Sequence, residues 1–238
     1  MKKTEWVDSA PNGENSLKTL GSAFIKGSWY TRFSFLFMGT GQLARGQLIK
    51  GFLYFALQAA FVLFLSFFGG GYILQLFSGK LGTRVTQEIW NEDLQIFEKT
   101  AGDNSFLILL YGVVSLVIIL LFLCVWYSGV LGSYQNDVLV RKGDSVPTFK
   151  QDLRVLFNEK FYMPLLALPF LGLLVFTVMP LIFMVLIAFT NYDYAHLPPG
   201  KLFGWVGFAN FGSLFSLSGG SSGFAMVFLR VLLWTFVW

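Results

Sequence analysis

The run SFLILLYGVVSLVIILLFLCVWYSGVL, Ser105 to Leu131, holds 27 residues and not one Asp, Glu, Lys, Arg or His. About 20 consecutive apolar residues suffice to cross the hydrocarbon core of a bilayer. Two further stretches read the same way. No Asp, Glu, Lys or Arg occurs from Gly51 to Gly79 or from Phe161 to Tyr192. Across the 238 residues, 55% are apolar, only 13% are charged and 28 are Phe. A soluble domain carries about 25% charged residues, so the solvating charge of a water-facing surface is missing. The sequence implies an integral membrane protein.

The expected fold is all-α: a polytopic membrane protein with three complete transmembrane helices plus the start of a fourth, and a cytoplasmic N-terminus. The spans are placed at 51–77, 105–132 and 163–189. Gly69-Gly70-Gly71 either ends or loosens the first. Pro180 lies deep in the third and is expected to kink it, since proline donates no backbone bond and crowds the preceding turn. The incomplete fourth span covers 224–238, FAMVFLRVLLWTFVW. Its fifteen residues rise about 22 Å, short of the roughly 30 Å core, so the chain is expected to be cut inside a helix. Arg230 in this run either snorkels to the interface or lines a pore.

Orientation follows from the Lys and Arg count in each loop. Residues 1–50 contain seven, the loop 78–104 three, the stretch 137–160 five and the loop 190–223 one. The alternation puts the N-terminal segment and the 133–162 loop in the cytoplasm, and the 78–104 and 190–223 loops outside. The start MKKTEWVDSAPNGENSLKTLG lacks the apolar core of a cleavable signal. Within residues 1–50, FSFLFMGTGQLARGQLIKG repeats Gly-Gln-Leu at 41–43 and 46–48. Its Arg32, Arg45 and Lys50 neighbours argue for a short interfacial or re-entrant element on the cytoplasmic side, its glycines permitting close helix contact.

The outer loop TNYDYAHLPPGKLFGWVGFANF, 190–211, is aromatic, weakly charged and stiffened by Pro198-Pro199-Gly200. Tyr192, Tyr194 and Trp205 suit the headgroup region beyond a helix end, and the segment reads as an interfacial loop. SLSGGSSG, 216–223, reads as a flexible tether.

Chemistry is sparse. His196 is the only histidine and Cys124 the only cysteine, so no disulfide forms within the chain. No Cys/His or carboxylate cluster has metal-ligand spacing, and no phosphate loop of the G-x-x-x-x-G-K-[ST] type occurs. The sequence assigns no catalytic, cofactor-binding or metal-ligating residue and leaves substrate contacts unidentified. Gln58, Gln75 and Thr177 are the polar groups inside the spans, read as bonds between helices, with substrate contact as the alternative. Nothing points to nucleic acid, because the basic residues sort by membrane side; the lipid bilayer is the partner that composition demands.

The proline-bearing helix, the exit AFTNYD at 188–193, WVGFANF at 205–211 and the following FLRVLLWTFVW resemble the permease subunits of carbohydrate ABC importers, and most of all the MalF-type subunit of maltose and maltodextrin importers. The GQLARGQLIKG element and the first helix are similar to that family's N-terminal region. The resemblance covers roughly 20–238 and is strongest over 157–238. It implies a transport subunit rather than an enzyme, forming part of a sugar pathway with a second permease subunit, cytoplasmic ATPase subunits that hydrolyse ATP, and an external sugar-binding protein. The loop 190–223 would then lie on the face where that binding protein docks. The family's Glu-Ala-Ala coupling segment is absent from these residues, which makes them resemble the N-terminal part of a permease. A small membrane scaffold or assembly protein is the alternative.

Overall fold

The computed structural model describes residues 16–215 and 222–238; the N-terminal start and most of the Gly-Ser tether lie outside the described residues. Short helices α1 (Ser16–Lys26), α2 (Trp29–Phe33) and α3 (Thr40–Leu43) precede the first long one, α4 (Leu48–Phe77). An antiparallel hairpin follows, β1 (Glu88–Asn91) and β2 (Ile96–Lys99), with Trp90 opposite Phe97. Then come α5 (Ser105–Arg141), α6 (Phe149–Arg154), α7 (Tyr162–Ile187), α8 (Ala209–Phe215) and α9 (Ser222–Val237). The protein is mostly helical, and α4, α5 and α7 are each long and apolar enough to cross a membrane. The fold is that of an all-α polytopic membrane protein.

The helices depart from the sequence expectation where local chemistry overrides hydropathy. Helix α5 continues ten residues beyond Leu131, through polar Tyr134, Gln135, Asn136 and Asp137, because nothing breaks it before Gly143. That glycine has φ of +80°. The Asp144 N–H bonds the Leu139 carbonyl and the Gly143 N–H the Val140 carbonyl, so a left-handed glycine ends the helix and occupies its last free carbonyls. Part of the expected 133–162 loop is therefore helix.

Neither glycine nor proline breaks a span. In α4 the backbone widens to a π turn at Leu65–Gly69. A Cβ on Gly70 would collide with the Leu65 carbonyl five residues back, so glycine is what lets the wide turn close. In α7 a π turn spans Leu174–Val178, and the Met179 N–H bonds the Leu174 carbonyl. Pro180 follows at the first turn of the next helical stretch, where its missing donor costs little. Where a kink at Pro180 is expected from sequence, the structure has a widened turn just upstream of the proline.

Two compact units divide the chain. The first comprises Met1–Phe64 with Ile118–Ala167, the second Leu65–Val117 with Leu168–Trp238. Their interiors differ in kind. In the first, Ala23, Met38 and Val130 are buried alongside Thr31, Ser34, Gln42, Gln47, Ser133, Asn136 and Asp137. In the second, Leu76, Leu81, Ile108, Leu109 and Phe203 form an apolar cluster.

The Gly70 geometry yields a test. Gly70→Leu should lower the melting temperature of the detergent-solubilised protein, whereas Gly71→Leu, where an added Cβ meets only open space, should leave it within about 1 °C. Equal effects would contradict the role given to the π turn.

Candidate functional site

In the first unit the polar side chains converge on Arg45, which follows α3 at the centre of the duplicated Gly-Gln-Leu element. Its guanidinium lies 2.9 Å from Asp137 Oδ1, and both side chains are nearly sealed, at 7% and 6% exposure. Arg45 Nη1 donates to the carbonyls of Gly41 (2.9 Å) and Ser133 (3.0 Å). Nη2 donates to Ser28 Oγ (2.8 Å) and Thr31 Oγ1 (2.7 Å). Asp137 also accepts the Ser28 N–H at 2.8 Å and Arg141 Nη2 at 3.0 Å. A planar fork with several fixed donors suits this pattern, where a single ammonium would not.

The two copies of Gly-Gln-Leu act together. Gln42 Nε2 donates to the Gly129 carbonyl at 2.7 Å. Gln47 accepts from Asn136 Nδ2 at 2.8 Å and donates to the Pro147 carbonyl at 2.6 Å. One glutamine thus holds α5 near Gly129, and the other ties α5 to the loop leading to α6. Gly41 lets the backbones meet, since a Cβ there would run into Ser133 Oγ; its N–H donates to Ser34 Oγ at 2.8 Å. Ser34 Oγ in turn donates to Ser133 Oγ at 3.2 Å. Trp126 Nε1 reaches the Phe35 carbonyl at 3.0 Å. The result is a densely bonded junction between the N-terminal segment and α5, in which the Asp137 carboxylate is shared by Arg45 and Arg141 and only Gln42 Oε1 is buried without a partner among the described residues. Its chemistry is mechanical.

The sequence reading counted Arg45 among the charges before the first span, as an orientation signal; in the structure it is a buried tie to Asp137. Asp137, Ser133 and Asn136 were not singled out. The available signal was that the charge-free run 104–136 ends in Asn136-Asp137, the polar end of an otherwise apolar helix.

In the second unit the aromatic loop closes over helix ends. Trp205 Nε1 donates to the Leu76 carbonyl at 2.8 Å, satisfying one of the free carbonyls that every helix C-terminus leaves. Phe203 is 2% exposed and packs edge-on to Phe106 with ring centres 5.0 Å apart. Its N–H donates to Ser105 Oγ, which itself donates to the Leu81 carbonyl at 2.6 Å. Asn210 Nδ2 covers the Ala188 and Thr190 carbonyls at the end of α7. So the loop is aromatic because it forms a packed lid. Trp205, read as an interfacial anchor, spends its N–H on the protein, while Tyr194 stands 93% exposed.

The 78–104 connection is pinned by Asp103, whose Oδ2 accepts the N–H groups of Thr83 (2.8 Å) and Arg84 (2.9 Å). These two amides hold its carboxyl below the ordinary carboxylate range.

Of the other residues singled out, Gln58 accepts the Met38 N–H at 2.6 Å and donates to the Leu36 carbonyl at 2.7 Å. Its partner is the turn before α3 rather than another span. Gln75 Oε1 is buried without a partner among the described residues, and Thr177 is exposed within the π turn of α7. His196 Nδ1 lies 2.6 Å from Asp193 Oδ1 on the exposed loop, and the hydrogen bond from His196 draws the Asp193 carboxyl below its usual value. Cys124 and Arg230 are exposed. Among the described residues, no group of three metal-ligating side chains converges.

The chain is 30% identical over 201 residues to the maltodextrin transport system permease protein MalC of Streptococcus pneumoniae, a match covering 84% of this chain and 41% of that protein. The maltodextrin transport system permease protein MdxF of Bacillus subtilis is 30% identical over 202 residues, with the same two coverages. Over 84% of its length the chain is thus similar to sugar ABC transporter permeases. The galactooligosaccharides transport system permease protein GanP of Bacillus subtilis is 30% identical over 207 residues, covering 84% of this chain and 43% of that protein. The chain spans about two-fifths of the length of these curated relatives. No family model and no solved structure matches it. This similarity and the three apolar spans make it a multi-pass protein of the cell membrane.

Two outcomes follow from the site geometry. Removing one partner of a buried ion pair costs about 3–5 kcal/mol, so Arg45→Met and Asp137→Leu should each lower stability by about that much in chemical unfolding. Arg45→Lys should recover less than half of the loss, and full recovery would contradict the fork geometry. At Asp103 the folded pKa is depressed, so its stabilisation is complete above the unfolded value near 3.8 and disappears as pH falls through the folded value. Amide-exchange protection factors at Thr83 and Arg84 should hold above pH 3.8 and fall as the pH is lowered below it in the wild type, and be insensitive to that change in Asp103→Leu.

Proposed function

We propose that this chain forms part of the membrane pathway of an ATP-driven carbohydrate importer, with maltodextrins as the favoured substrate. The observation that carries the reading is the 30% identity shared with maltodextrin permeases over 84% of the chain. The galactooligosaccharide relative keeps galactooligosaccharides as the second substrate class. A transport subunit of this kind hydrolyses nothing itself. Its proposed partners are a second permease subunit, cytoplasmic ATPase subunits and an external sugar-binding protein. No side chain of this chain is assigned to the sugar.

The proposed topology puts the N-terminus and the α5–α7 connection in the cytoplasm, and the hairpin and aromatic lid outside. The basic-residue bias supports it. The Arg45 junction then lies at the cytoplasmic side and the Trp205 lid at the outer side, so a binding protein would meet the lid.

The full-length protein carrying this chain should co-purify with a second permease and an ATPase, and its deletion should abolish uptake of labelled maltotetraose. A stable full-length protein free of both partners, in a strain that still imports the sugar, would leave the scaffold reading in place. Topology is checked separately with His196→Cys and Ser145→Cys in a Cys124→Ser background. An impermeant maleimide added outside should label position 196 and not 145, and the opposite pattern would invert the orientation.

A further inference from the structure

In the first unit a groove of about 620 Å³ runs between α4, α5 and the α6 segment. Its walls are apolar, set by Leu53, Leu57, Val125, Leu153, Leu156 and Met163. Two lysines also line it. Lys50 Nζ is held 2.7 Å from Asp152 Oδ2, so its charge is balanced within the protein. Lys160 is exposed, and its ammonium has no ion-pair or hydrogen-bond partner among the described residues.

The placement of these groups in the chain fixes their depth. Lys50 is the third residue of the span Leu48–Phe77, and Lys160 lies two residues before the span Tyr162–Ile187. Consecutive spans cross in opposite directions, so the start of the first, the end of the second and the start of the third share one membrane face. The groove therefore opens at headgroup level with a cationic rim and extends along apolar side chains toward the hydrocarbon. Water finds few partners along the leucines, the polar lining being confined to Tyr54, Ser128, Asp152 and the two lysines. A packed protein helix would fill the walls but would leave the Lys160 charge to be desolvated without a counter-ion, which is costly. A phospholipid satisfies both halves, an acyl chain against the leucines and a phosphate at the ammonium. Basic pockets between spans at a membrane face are suited to anionic headgroups.

We propose that this groove is a binding site for a single anionic phospholipid, with one acyl chain between α4 and α6 and the headgroup phosphate paired to Lys160. Free phosphate is excluded as the intended occupant, because it makes no use of the six apolar side chains. The site depends on the chain crossing a membrane, and neither on the importer reading nor on which face is cytoplasmic, so the failure of either would leave it standing.

The test is native mass spectrometry of the protein released from nanodiscs made of equal phosphatidylglycerol and phosphatidylcholine. One retained phosphatidylglycerol per protein is expected, preferred over phosphatidylcholine on the order of five-fold, the worth of one basic side chain at an anionic surface. Lys160→Gln, an exposed and structurally mild change, should erase the preference. Leu156→Trp, which fills the groove, should reduce retention of both lipids. Equal retention of the two lipids by the wild type, an unchanged preference in Lys160→Gln, or undiminished retention in Leu156→Trp would each overturn the proposal, the last by showing that lipid sits elsewhere or that protein covers the groove.

Discussion

Arg45 is the residue on which the first unit depends. It belongs to a short segment whose large apolar side chains, among them Trp29, Phe33, Leu36, Phe37 and Leu43, are mostly exposed, so little of their area holds the segment against α5. Most of the buried side chains there are Ser, Thr, Gln, Asn and Asp, and burying such groups is favourable only when they find partners. The guanidinium supplies partners for several at once, and its charge is returned by Asp137. Without it, at least Ser28, Thr31 and Ser133 would lose a donor, and the carboxylate its closest counter-charge. That is why the junction is built around arginine and why the small residues Gly41, Ser34 and Ser133 surround it: only small groups let the backbones come close enough for a fork to reach them all.

The second unit solves the complementary problem. Its helix ends carry free carbonyls next to a membrane, where unsatisfied polar groups are most costly. Trp205 and Asn210 cover those carbonyls, and Phe203 fills the space beneath with apolar area. One unit is thus tied by charge-assisted bonds over a polar interior, the other by capping bonds over an apolar one. Both use segments that hydropathy alone would treat as loops.

The spans were legible because a bilayer imposes a one-dimensional rule on composition. The ends of the spans were less so. Continuation of α5 to Arg141 depended on where the next left-handed glycine falls, and Gly143 is a quieter signal than an apolar run. The hairpin at 88–99 went unread because its turn uses Gln95 at φ of +51° instead of glycine, so the usual turn signature is missing. The Gly-Gln-Leu duplication and the aromatic loop were both visible as unusual sequence. Their partners were not, since Gln42 meets Gly129 and Trp205 meets Leu76 across separations of 87 and 129 residues, which a single sequence does not reveal. The family resemblance was legible where motif and span coincide, over the third helix and the loop that follows it.

The central claim is that the duplicated Gly-Gln-Leu element is docked on α5 by a closely packed polar junction. Its most direct test is disulfide formation in native membranes between Ser34→Cys and Ser133→Cys, in a Cys124→Ser background. The two hydroxyl oxygens are 3.2 Å apart, a separation that places paired cysteines within bonding reach. The account predicts near-complete crosslinking under mild oxidation, with none for Ser34→Cys combined with Ser145→Cys. Failure of the Ser34–Ser133 pair to crosslink, or equal crosslinking of the two pairs, would contradict it.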